Sequence, residues 1–251
     1  MARRRVFSGP LVPGTTSVRQ IRKVKGKKRP PLSKIQNLTR LIRSIQLKAL
    51  ETKRSSQYTE SAQQLFHNKA YYAERLLSTT QGTADPHGTD QAALNRVGDE
   101  VLAKGISLKF FLENQADNPN VIYKLYVFRY NTLQLTIDDT YFWCGTDGAG
   151  ANMNRTLDKP HTDRMKILKI MNLNPTMGSN NSGTTAKVKT KNFSCWIPLN
   201  NRKIQYNADN SPLSRFTDIG FAVLAYDAIN TLETTVIANL QWQSTFYFKD
   251  P

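Results

Sequence analysis

Residues 236–248 read Val-Ile-Ala-Asn-Leu-Gln-Trp-Gln-Ser-Thr-Phe-Tyr-Phe. Val236, Ala238, Leu240, Trp242, Phe246 and Phe248 alternate there with Asn239, Gln241, Gln243 and Thr245. A period of two puts the apolar set on one side of an extended chain and the amides on the other, the pattern of a strand with one buried face. Upstream, the same period recurs. Ile106, Leu108, Phe110 and Leu112 alternate with Ser107, Lys109 and Glu113. Phe193, Cys195 and Ile197 share a face within 187–197, and Lys187, Lys189 and Lys191 continue that face outward. The run 121–130 is aromatic-rich with apolar residues on both faces, 165–173 is another apolar strand candidate, and 216–226 is nearly all apolar around Asp218 and Gly220. Short pieces at 141–144 and 202–206 bring the expected total to about eight strands. No helical pattern separates them, which excludes parallel βαβ units. The expected fold is all-β: an eight-stranded antiparallel jelly roll preceded by a basic N-terminal arm containing an amphipathic helix.

The charge of this 251-residue chain is strongly one-sided. Residues 1–54 carry sixteen Lys/Arg and one acid, Glu51, so they hold fifteen of the sixteen net positive charges and leave +1 for residues 55–251. A chain that needed charge only for solubility would spread it. Concentration at one end marks an arm for a polyanion. Residues 1–32 contain Arg3, Arg4, Arg5, Arg19, Arg22, Lys23, Lys25, Lys27, Lys28 and Arg29, interrupted by Pro10, Pro13, Pro30 and Pro31. With so little apolar surface to offset the entropy of ordering, this segment is expected to be disordered alone. The run 23–30, KVKGKKRP, also reads as a nuclear import signal.

A helix is expected over 33–54, with Ser33 as its N-cap. Ile35, Leu38, Ile42, Ile45 and Ala49 follow at spacings of three and four, the seam of a helix that pairs with another helix or with copies of itself. Lys34, Arg40, Arg43 and Lys48 join the arm's cations as expected nucleic-acid contacts. Residues 55–95 read as a lead-in, with a second helix around Ala62–Leu77 and a loop from Gln81 onward, and the shell domain is expected over 96–251. No stretch approaches the ~18 consecutive apolar residues of a membrane span. No apolar signal core follows Met1-Ala2-Arg3-Arg4-Arg5, so neither membrane insertion nor secretion is expected.

A catalytic inventory comes up nearly empty. His67, His87 and His161 lack metal-ligand or nucleophile neighbourhoods, and no HExxH, CxxC, GxSxG or Walker A sequence occurs. Asp138, Asp139, Asp147, Asp158 and Asp163 crowd one loop without EF-hand spacing, so they read as a solvated acidic loop rather than a calcium site. Cys144 and Cys195 read as two buried thiols, and Trp143 and Trp196 beside them as core aromatics. No enzyme activity, cofactor or resident metal is expected. The body lacks basic patches with interleaved aromatics along the sequence, so polyanion contact is assigned to the arm.

Gln81-Gly82-Thr83, then Asn95-Arg96-Val97-Gly98-Asp99-Glu100-Val101, carry a family resemblance. The second stretch resembles the R-x-G-D lead into the first strand of single jelly-roll capsid proteins of circular Rep-encoding single-stranded DNA viruses and of satellite tobacco necrosis virus. Phe128-Arg129-Tyr130 and Arg164-Met165-Lys166-Ile167-Leu168-Lys169 are similar in kind. The resemblance implies a viral coat protein assembling into a T=1 icosahedral shell of about sixty copies. An inward arm would hold single-stranded DNA or RNA, and the chain would be found in the virion and in the host nucleus, which it would reach through an import receptor. The import-like run tilts the expected genome to DNA. Two other functions fit the composition: a monomeric histone-like condensing protein, and a carbohydrate-binding jelly roll with a basic tail.

Overall fold

The computed structural model describes residues 36–39, 41–42, 45, 50, 52–82, 95–115, 117–118, 120–133, 136–144, 154–174, 190–207, 211–227 and 232–250. Among these lie nine strands: β1 (Lys53–Tyr58), β2 (Gln63–Phe66), β3 (Ala70–Ala73), β4 (Glu100–Asn114), β5 (Val121–Asn131), β6 (Met165–Leu173), β7 (Thr190–Gln205), β8 (Thr217–Asp227) and β9 (Val236–Lys249). Every strand pairing between them is antiparallel. β2 pairs with residues 236–240 of β9 and β1 with residues 243–248, so the two are consecutive halves of one strand.

Counted that way, eight strands pair as a nested set. The first lies on the last (β1 and β2 on β9), the second on the seventh (β3 on β8), the third on the sixth (β4 on β7) and the fourth on the fifth (β5 on β6). This is one long hairpin rolled up, with its tip between β5 and β6. Rolling closes two sheets, β1-β9-β4-β7 and β3-β8-β5-β6, through the added pairs β4–β9 and β5–β8. The fold is an eight-stranded antiparallel jelly roll.

The inner faces of the sheets meet in one core. β4 contributes Val101, Ile106, Leu108, Phe110 and Leu112, and β5 contributes Val121, Tyr123, Leu125 and Val127. β8 adds Ile219, Phe221 and Val223, and β9 adds Leu240, Phe246 and Phe248. The opposite faces of β5 and β8 are buried as well. Tyr126, Phe128, Tyr130, Ala222 and Leu224 form a second core with Ile137, Tyr141, Phe142 and Trp143 from the long β5–β6 connection. A strand covered on both sides has no wholly polar face to show, which explains the largely apolar runs at 121–130 and 216–226.

Several expectations change here. Residues 55–95 are not a helical lead-in: most of β1 and all of β2 and β3 lie there, and the sheets begin at Lys53. Lys53 and Arg54, expected to end the arm helix, open β1 instead. The spacing of Ala62, Leu65, Phe66, Ala73, Leu76 and Leu77 imitates a helix, but the chain reverses between β2 and β3, where Asn68 has φ 56°, and Arg75 has φ 60° after β3. The piece at 141–144 is no strand. A one-turn helix spans Asp139–Phe142, capped by the Asp138 carboxylate accepting from Tyr141 N at 2.8 Å. The β5–β6 connection is therefore partly core rather than a purely solvated loop, because Tyr126 and Phe128 on β5 need covering. Cys195 is buried, but Cys144 is exposed.

The chain divides into two compact units, residues 1–46 and 47–251. In the first, the described residues 36–39, 41, 42 and 45 are helical, and Leu38, Leu41, Ile42 and Ile45 are exposed on that helix. Among the described residues no helix is long and apolar enough to cross a membrane.

Two buried polar residues fasten the loops at one end of the roll. Arg96 is fully buried. Its Nη1 donates to Gly98 O at 2.5 Å and Asp99 Oδ1 at 3.2 Å, its Nη2 to Ser211 O at 2.9 Å, and its guanidinium lies 4.4 Å from the centre of the Tyr206 ring. The Arg96-Val97-Gly98-Asp99 stretch is thus a clamp between two loops, and it leads into β4, the third jelly-roll strand rather than the first. Asp218 is also buried, accepting from Leu77 N at 3.0 Å, Ile219 N at 2.7 Å and Ser214 Oγ at 2.8 Å.

Burial outweighs those hydrogen bonds and pushes the Asp218 carboxyl up to about 6. An unfolded aspartate titrates near 3.9. Between these values the native chain binds the proton and the unfolded chain does not. The contribution of this group to stability is therefore full below about pH 4 and is lost as pH rises through 6. Asp218→Asn keeps an oxygen for the two N–H donors and removes the charge. Urea unfolding should show the variant gaining on the wild type as pH rises from 4 to 7, by up to about 3 kcal/mol at 1.4 kcal/mol per pH unit. Parallel profiles would assign the titration elsewhere.

Candidate nucleic-acid interface

Most of the cations assigned to nucleic acid from the sequence lie outside the described residues: Arg3, Arg4, Arg5, Arg19, Arg22, Lys23, Lys25, Lys27, Lys28, Arg29, Lys34, Arg40, Arg43 and Lys48. So does Ile35 of the helix stripe, whereas Leu38, Ile42 and Ile45 are described and exposed. Lys187 and Lys189 are also outside, and Lys191 pairs with Leu112 in a row on the core side.

What the described residues do present is one open sheet face. Paired residues in neighbouring strands share a face, so the registers of β1-β9-β4-β7 define rows across it. One outward row is Arg54–Tyr247–Gly105–Pro198. The next is Ser56–Thr245–Ser107–Trp196, and after it Tyr58–Gln243–Lys109–Ser194. Gln241–Phe111–Asn192 follows. Beyond the first row, at the other end, lies Lys249–Leu102–Lys203. The intervening rows carry the core side chains. The face is hollowed by a depression of about 570 Å³, bounded by Arg54, Tyr58, Lys109, Gln243 and Tyr247 among others.

Trp196 is set into this surface by a glycine. A Cβ on Gly105 would lie 2.2 Å from Trp196 Cζ2 and 2.8 Å from Ile197 O, so the indole occupies the space that any side chain there would take. Its ring centre is 5.6 Å from that of Tyr247. Trp196 is nonetheless 45% exposed, and Tyr58 is 67% exposed. The expectation that both Trp143 and Trp196 are core aromatics therefore holds for Trp143, which is 1% exposed, and fails for Trp196.

The charge of the face is mostly basic. Arg54, Lys109, Lys203 and Lys249 stand on it against Glu100 and Glu113. Glu100 is engaged: hydrogen bonds from Lys203, at 2.5 Å, and Gln205, at 2.7 Å, hold its carboxyl below the usual carboxylate range. The patch is hard to read from local sequence because its members come from four strands spread between positions 54 and 249. The outward amides of β9, Gln241 and Gln243, with Thr245 and Tyr247, were the available signal.

The titratable groups elsewhere serve the scaffold. His67 Nδ1 accepts from Asp227 N at 3.2 Å, and burial lowers the affinity of its ring for a proton. Within the acidic loop, Asp138 caps the one-turn helix. Asp139 accepts from Tyr72 Oη at 2.6 Å and pairs with Arg155. Among the described residues no three His, Cys, Asp or Glu side chains are grouped to hold a metal ion.

No family model matches this chain, and no curated protein does either. Among solved structures, it is similar to a chain of the T13 IBDV viral particle at 10% identity and a TM-score of 0.23. The match covers 80% of this chain and 39% of that one. A TM-score so low carries no argument about function.

Gly105→Ala tests the seating of Trp196. Overpacking of this kind typically costs 1–3 kcal/mol, and part of the contact is with backbone. Tryptophan emission should shift as the indole is displaced, with a lowered urea midpoint. An unchanged spectrum and midpoint would mean that the ring does not lie against Gly105.

Proposed function

We propose that this chain is a structural capsid protein. It self-assembles into a closed shell and packages single-stranded nucleic acid through its basic N-terminal segment. The observation that carries this reading is the division of the molecule: thirteen of the sixteen net positive charges lie in residues 1–52, ahead of a jelly roll that opens at Lys53 and carries only +3. The arm neutralises phosphates by releasing counterions, without sequence preference. In a shell of about sixty copies the arms would supply roughly eight hundred positive charges. DNA is the favoured genome, since the 23–30 run suits an import receptor and a nuclear stage of infection. Purified protein should form uniform particles by negative-stain microscopy. A stable monomer at high concentration, with and without nucleic acid, would overturn the capsid reading and leave a histone-like condensing protein.

The arm helix is proposed to take part in assembly through Ile35, Leu38, Ile42 and Ile45. Burying one such side chain stabilises by about 1.5–3 kcal/mol, so several copies meeting would matter. Ile42→Asp combined with Ile45→Asp should weaken particles against salt or dilution while circular dichroism still reports a folded β protein. Unchanged particle stability would make the helix a spacer.

A further inference from the structure

We propose that the open face of the β1-β9-β4-β7 sheet is a second nucleic-acid site, which stacks unpaired bases on Trp196 and Tyr58 while Arg54 and Lys109 meet phosphates. The proposal rests on the packaging reading for the identity of its polyanion, and it adds a site that the basic arm does not contain.

Three observations carry it. The first is the unusual exposure of two aromatics on a sheet whose inner side is fully packed. Trp196 is fixed over Gly105 and beside Tyr247 yet stays half in water, and Tyr58 is more exposed still. Large aromatic surfaces left open among polar neighbours mark contact sites. The second is the contrast with the other sheet, whose outer face is closed by Ile137, Tyr141, Phe142 and Trp143. The third is charge and hydrogen-bonding capacity. Arg54 and Lys109 border the hollow; of the acids on this face, Glu113 sits two rows beyond Lys109 and Glu100 two rows beyond Arg54, where Lys203 and Gln205 already hold it. Gln241, Gln243 and Asn192 offer donors and acceptors to base edges without fixing a sequence.

The dimensions suit a strand rather than a single base. Tyr58 on β1 and Trp196 on β7 lie three strand spacings and one row apart, about 15 Å at the usual interstrand distance. A cationic groove with separated stacking platforms is how proteins bind single strands without sequence preference. The same layout explains a difference from the arm. Phosphate contacts weaken steeply with salt, whereas stacking does not depend on counterion release.

The test uses the full-length protein and a thymidine 20-mer, with tryptophan emission as the readout and particle formation followed in parallel. Emission should be quenched on binding, and the quench should persist at about 0.5 M salt, where the arm is screened. Trp196→Phe should abolish the quench, since Trp143 is buried and Trp242 donates its indole N–H to Tyr71 Oη at 3.2 Å. Tyr58→Ala, at a residue too exposed to unfold the roll, should weaken high-salt binding about ten-fold or more, whereas Lys109→Gln should weaken low-salt binding and reduce the log–log salt slope by about 0.7. A full-length variant with the ten Arg/Lys of residues 1–32 changed to Gln should lose most of the salt slope and keep the quench. Equal quenching and competition by polyphosphate would overturn base stacking. If the arm variant loses all binding and no quench is seen, the face is not a site while the packaging reading stands. If neither the arm nor the face substitutions alter binding, the packaging reading itself falls.

Discussion

Strand β9 is hydrogen-bonded along both edges, to β1 and β2 on one side and to β4 on the other, and β8 is held in the same way between β3 and β5. The last two strands of the chain are therefore interior strands, one in each sheet. Neither sheet closes until they arrive, and most of the pairings join residues more than a hundred positions apart. Such non-local closure makes folding slow and its end state cooperative. It also explains where the buried polar anchors sit. Arg96 ties the chain ahead of β4 to Ser211, and Asp218 ties the segment after β3 to the start of β8, each joining an early part of the chain to a late one.

The two sheets have opposite fates on their outer sides. One is roofed by the β5–β6 connection, whose aromatics complete a second core, and the other is left as rows of amides, hydroxyls, cations and two exposed rings. Among the described residues this asymmetry leaves one sheet face as the distinctive polar surface.

Much of this was legible in the sequence. β4, β5, β6, β8 and β9 follow from alternation or from largely apolar runs, 165–173 coincides with β6 end to end, and the two pieces expected at 187–197 and 202–206 prove to belong to one strand, β7. β1 was not legible because Lys53–Tyr58 reads KRSSQY, with alternation in burial but hardly any in hydrophobicity. β2 and β3 are four residues each, too short for a period to declare itself, and the turn between them sets apolar residues at helical intervals. Arg96 looked like a family signature and proves to be a loop clamp. Trp196 was misread because its place depends on Gly105, ninety-one positions away, and a cross-strand neighbour leaves no trace in local periodicity.

Strand β7, sixteen residues long, forms one edge of its sheet. A long regular edge offers a row of N–H and C=O groups on which a strand of another copy can grow, the first step towards fibres. This edge is broken near its middle. Pro198 lacks an N–H, and Asn200 and Asn201 turn through left-handed backbone at φ 55°. A strand of another copy laid along this edge would therefore lose its ladder midway, so the length of β7 does not translate into an equally long template.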